Sequence, residues 1–145
     1  MVQRITLWLP VFVWMGVIFF LSSQPSLPTP EDDLLADILS ALSHAFVFGV
    51  LMTLLLRAMS GGLRRTSRRQ ALLPFALTMA YALTDEFHQS FVPNRTPDMF
   101  DVILDAIGAG VALGIWYAVV RPHPNPSSGG RGAMPSSSAT PDKTS

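Results

Sequence analysis

Residues 85–114 read DEFHQSFVPNRTPDMFDVILDAIGAGVALG, and the rest of the chain has to be arranged around them. The stretch begins at the polar end of one apolar run, crosses a short turn and enters a second apolar run that carries two aspartates. Asp85, Glu86, His88, Gln89, Arg95, Asp98, Asp101 and Asp105 crowd into it, although 49% of the chain is hydrophobic and only 14% is charged. Ionisable groups close to lipid-facing segments persist where they are paired, face a cavity or serve a function. A site in this protein is expected here.

Outward from this stretch, the hydrophobic residues fall into blocks of membrane-spanning length. A span needs about 20 mostly apolar residues, and the 145-residue chain offers four such runs. The first covers residues 5–21, follows Arg4, and carries Pro10, Trp8 and Trp14. Its length, the poor cleavage sequence Ser22-Ser23-Gln24 and the two tryptophans favour an anchored span over a cleaved signal peptide. The second run, residues 38–56, holds one strongly polar side chain, His44. The third, residues 71–83, is too short alone and spans only if its helix continues through the acidic residues to about residue 91. Thr96-Pro97-Asp98 reads as the start of the fourth helix, with Thr96 as N-cap and Pro97 in first position. That helix continues to Val120.

Charge is segregated along the chain. Arg4, the loop arginines Arg57, Arg64, Arg65, Arg68 and Arg69, and Arg121 mark three segments as cytoplasmic by the positive-inside rule. A basic cluster between two apolar runs is explained by that rule, and nucleic acid is not expected as a partner. The acidic loop with Glu31, Asp32, Asp33 and Asp37 then lies outside, as does the turn at residues 92–97. The expectation is an all-α integral membrane protein with four transmembrane helices, N-in and C-in. Residues 1–121 form its membrane domain. Residues 122–145, rich in Pro, Ser and Gly, form a disordered tail that includes His123.

This topology brings His44 and the 85–105 cluster to one membrane face. Asp85, His88 and Gln89 share a helix face by spacing. Asp98, Asp101 and Asp105 form another stripe, and Asp105 sits about 12 Å deeper than the helix start. Ala106, Gly110 and Gly114 recur every four residues, a small-residue pattern for close helix packing, widened by Gly108 and Ala109. The polar cluster allows three readings: binding of an envelope component, acid–base chemistry on a lipid-linked precursor, and proton-coupled transport. There is no cysteine and no HExxH spacing, and neither a metal nor any other cofactor is assigned.

The 85–114 block resembles the VanZ-like family, which combines an acidic pair and Gln near a Phe-Val-Pro-x-Arg turn with a following Asp and a Gly-rich helix. Phe20-Leu21-Ser22-Ser23-Gln24 and His44-Ala45-Phe46-Val47-Phe48 are similar to its upstream segments, so the resemblance covers residues 5–120. It implies that His44, Glu86, Gln89, Pro93, Arg95 and Asp101 hold characteristic positions. Ala41 stands where the family often has lysine, and Asp105 where it often has asparagine. The family takes its name from a member that confers low-level teicoplanin resistance. The resemblance implies a multi-pass protein of the bacterial inner membrane whose partners are the bilayer and a lipid-linked or cell-wall component.

Overall fold

The structure, a computed structural model, describes residues 2–25, 33–64, 66–93, 95 and 98–120. Residues 122–145, expected as the disordered tail, and the acidic loop residues Glu31 and Asp32 lie outside the described residues. Within them are four α-helices and no strand: α1 (Val2–Ser22), α2 (Asp33–Ser60), α3 (Arg68–Gln89) and α4 (Met99–Val119). Successive helices run up and down. One end of the bundle gathers the acidic residues of α3 and α4, and the opposite end gathers the arginines between α2 and α3.

Three helices, Val2–Ser22, Ile38–Ser60 and Met99–Val119, are long and apolar enough to cross a membrane. The protein is a multi-pass membrane protein in this sense. Its outer surface carries Phe12, Leu42, Phe46, Ile103, Ile107, Val111 and Ile115, all exposed. Such a continuous apolar belt suits lipid rather than water. Helix α3 is continuous through Asp85 and Glu86 for 22 residues, about 33 Å of helix. Its inward stripe is Ala71, Pro74, Thr78, Ala82, Asp85 and Gln89, all buried.

Helix α2 is the hub. It packs on all three other helices, most extensively on α4, and Phe48, Leu51, Met52 and Leu56 are almost fully enclosed. Two hydrogen bonds tie the outer helices together at mid-depth: Trp14 Nε1 donates to the Val47 carbonyl at 3.0 Å, and Tyr81 OH donates to the Met15 carbonyl at 2.7 Å. Trp14 is therefore an interhelical link. An indole N–H in an apolar bundle needs an acceptor, and here a neighbouring backbone supplies it.

The helix ends explain the turns. Gly61 and Gly62 adopt φ values of 74° and 128°, and the Gly62 N–H donates back to the Arg57 carbonyl at 2.8 Å. This left-handed close ends α2 four residues beyond the expected position. Ser67 and Gln70 form a reciprocal capping box that starts α3. Helix α4 begins at Met99 with Asp98 as N-cap, its side chain accepting from Phe100 N at 2.8 Å. The expected cap, Thr96, and Pro97 lie outside the described residues. The Asp98 carboxylate, directly before the first helical turn, takes the capping role.

The close packing of α4 also differs from expectation. Gly108, not the Ala106–Gly110–Gly114 stripe, meets α2: a Cβ on Gly108 would overlap the backbone of Ala45, whereas Gly110 and Gly114 face open space. Asp105, Gly108, Ala109 and Trp116 form the buried stripe. Positions 105 and 110 lie about 140° apart on a helix, so burying Asp105 turns Gly110 outward.

Candidate functional site

The acidic end of the bundle contains two linked groups of polar side chains. The first spans α1, α3 and the α3–α4 turn. Asp85, buried on the inward stripe of α3, accepts from Ser22 Oγ at 2.6 Å and from Gln89 Nε2 at 3.0 Å. The Gln89 amide oxygen in turn accepts from Arg95 Nη1 at 2.9 Å. Asp85 and Gln89 stand one turn apart, so each orients the other before any partner from outside α3 is added. The amide passes the polarity of the buried carboxylate to the guanidinium on the turn.

The second group spans α2 and α4. The His44 ring lies between two carboxylates, with Nδ1 at 3.1 Å from Asp105 Oδ1 and Nε2 at 3.6 Å from Asp101 Oδ2. Asp105 is 1% exposed, Asp101 25% and His44 16%, so the three descend from the rim into the bundle. Both ring nitrogens face a carboxylate. Only Nδ1 lies within hydrogen-bond distance of a carboxylate, and Nε2 and Asp101 form an ion pair when the ring is protonated. Such an arrangement can accept or deliver a proton without moving heavy atoms.

The remaining acidic-end residues play other parts. Glu86 accepts from the Asp98 backbone N–H at 2.9 Å, which pins the α3–α4 turn and fixes the entry of α4. Asp98 is occupied as N-cap and does not join the Asp101–Asp105 stripe toward His44. His88 turns toward α1, where Nε2 lies 3.0 Å from Ser23 Oγ and the ring stacks on Phe19 with centroids 4.2 Å apart. Asp85 and Gln89 are therefore brought together, and Asp85 and His88 both meet the end of α1, at the adjacent serines Ser22 and Ser23. Among the described residues Arg95 has no carboxylate within ion-pair distance, and a pairing of Arg95 with Asp101 is not formed.

Between the groups lies a cavity of about 80 Å³. Ser22, Ser43, His44, Asp85, Gln89 and Arg95 supply its polar wall, and Ile18, Leu21, Val47 and Phe48 its apolar wall. That volume holds a small polar group or several waters. Among the described residues no group of three or more histidine and carboxylate side chains converges with metal-binding geometry.

Sequence spacing did not find Ser22, Ser23 and Ser43. Each serine sits in or beside an apolar run, where a hydroxyl ordinarily bonds its own helix, and Ser22 and Ser23 both do reach the Phe19 carbonyl. The one available signal was position: Ser22 and Ser23 close the first apolar run at the end where the acidic residues gather.

The model of the VanZ/LLP1 family matches residues 7–121, which takes in all four helices and both polar groups. The chain belongs to the VanZ/LLP1 family. Comparison with curated proteins and comparison with solved structures each found no match. The family is one of membrane proteins of the envelope, linked at family level to glycopeptide resistance. The positions that carry the VanZ-like pattern are spatially close: Glu86, Gln89 and Arg95 lie around the α3–α4 turn, and His44 contacts Asp101. Asp105, where the family often has asparagine, is the deepest member of the His44 group and gives it a second carboxylate.

Proposed function

We propose that this VanZ-like protein resides in the bacterial cytoplasmic membrane, N-in and C-in, with α3 as a fourth span. Its outward polar end holds the anionic head of a lipid-linked or cell-wall component, and through that contact it alters susceptibility to teicoplanin-type glycopeptides. One observation carries the reading. Arg95 lines the 80 Å³ cavity beside His44 and Asp85 and is steered by Gln89, with no carboxylate partner among the described residues. A guanidinium at a membrane boundary is stabilised by a planar or tetrahedral anion that accepts two of its N–H groups. Helix α3 supports the topology: its outward residues Leu72, Leu73, Leu77, Leu83 and Phe87 are apolar and exposed, and its polar groups turn inward. Arginine counting places the opposite end inside.

A second reading, acid–base catalysis on a lipid-linked precursor, is favoured by one feature, the His44 ring set between Asp101 and Asp105. The deciding experiment expresses the wild type and Arg95→Gln at equal membrane abundance in a glycopeptide-susceptible bacterium. The wild type should raise the teicoplanin inhibitory concentration, and Arg95→Gln, still folded in detergent, should not. Full protection by Arg95→Gln would remove the anion site. A wild type without any effect would remove the glycopeptide role. Release of product from a labelled lipid-linked precursor by purified wild type would replace binding by catalysis.

A further inference from the structure

The arginine end of the bundle has a cavity of its own, of about 540 Å³, between the last turn of α2, the connecting turn and the start of α3. Small-molecule sites commonly occupy about 300–1,000 Å³. Its wall is amphipathic. Leu56, Met59 and Leu73 supply the apolar side, and Arg64, Arg69 and Gln70 the polar side. We propose that this cavity is a binding site for an anionic phospholipid, with the phosphate held between Arg64 and Arg69 and the chains running over the leucine side.

The charge at this end has no internal partner among the described residues. The sequence has no Asp or Glu between Asp37 and Asp85, and among the described residues neither arginine has a carboxylate within ion-pair distance. Both arginines are exposed, yet they line one cavity from opposite sides of the turn that starts α3. Two guanidinium groups facing one volume suit a phosphate, which accepts paired N–H donors from each. The positive end of the α3 dipole points the same way.

The apolar wall selects lipid over a free anion. Helix α2 is long and apolar enough to cross a membrane, and its last turn places this cavity where a headgroup meets its acyl chains. Met59 and Leu73 on its wall are 37% and 54% exposed. A soluble phosphate would leave that surface uncovered, whereas a phospholipid covers it. The inference does not depend on the reading of the acidic end, nor on which face of the membrane this end occupies.

The test titrates the purified full chain in nonionic detergent with phosphatidylglycerol or phosphatidylcholine and counts bound lipid by native mass spectrometry. The wild type should retain phosphatidylglycerol in preference. Arg64→Gln with Arg69→Gln should weaken retention about tenfold or more, the factor that corresponds to about 1.4 kcal/mol. Arg57→Gln with Arg68→Gln removes equal charge outside the cavity and should stay within about threefold of wild type. Equal losses in the two pairs would reduce the effect to diffuse surface charge and overturn the site. Equal retention of both lipids by the wild type would overturn headgroup recognition. Glycerol phosphate competing as well as the intact lipid would make it a free-anion site instead. If the glutamine pair fails to fold, the two wild-type measurements still decide the question without it.

Discussion

Gly108→Ala adds one methyl group where α2 and α4 meet through their backbones, and it should undo both the packing and the polar site. The methyl would overlap the carbonyl oxygen, carbonyl carbon and Cα of Ala45. These are backbone atoms, so no rotamer change relieves the overlap. Carbon–carbon contacts are optimal near 3.5–4.0 Å, so the helices must part by on the order of 1 Å, which forfeits roughly a quarter to a half of the dispersion energy of each facing atom pair. Overpacking costs about 1–3 kcal/mol where side chains can adjust. With backbone on one side and a helical Cβ on the other, the upper figure, about 3 kcal/mol, is expected. His44 precedes Ala45 and Asp105 lies one turn before Gly108, so the same displacement carries their 3.1 Å contact beyond hydrogen-bond distance. Gly110→Ala is the control, because a Cβ there meets nothing within 4 Å and alanine favours a helix by up to about 1 kcal/mol. The assay is equilibrium unfolding in mixed micelles of nonionic detergent and dodecyl sulfate, followed through the three tryptophans. The Gly108→Ala midpoint should fall while that of Gly110→Ala holds or rises. Equal midpoints for the two variants would refute a backbone-to-backbone contact between α2 and α4.

Two further outcomes can be measured alongside. His44→Leu leaves the buried Asp105 carboxylate without its imidazole and should destabilise by about 3 kcal/mol or more, whereas His44→Leu with Asp105→Leu should recover much of the loss; equal loss in the single and double variants in the same unfolding assay would show that the two residues do not form an energetic pair. Reporter fusions after Arg69 and after Arg121 should read cytoplasmic and one near Asn94 outside, as the arginine distribution requires; a cytoplasmic signal near Asn94 would invert the bundle and remove the envelope-facing site.

The four helices, and the membrane-spanning character of three of them, were legible without coordinates. Run length and hydropathy are sums over neighbouring residues, and the membrane acts on those sums. The same local chemistry marked residues 85–105 as the polar centre, because carboxylates are costly near lipid wherever the helices point. Which residues meet was not local. Spacing grouped His88 with Asp85 and Gln89, but it gave no sign that α1 would supply Ser22 to Asp85 and Ser23 and Phe19 to His88. Ser22 gave no sign of reaching Asp85, since a hydroxyl can satisfy itself on its own helix. The small-residue stripe Ala106–Gly110–Gly114 had the right period but the wrong rotation. Periodicity says that a helix has a face; it does not say how far the helix is turned about its axis. In α4 that rotation accompanies the burial of Asp105 against His44, which brings Gly108 onto Ala45 and sends Gly110 outward. The sequence alone determined which segments are long and apolar enough to cross a membrane and which end is polar. The pairing of Asp105 with His44, the serine contacts and the backbone contact at Gly108 were decided only by tertiary packing, because each depends on the mutual rotation of helices distant in sequence.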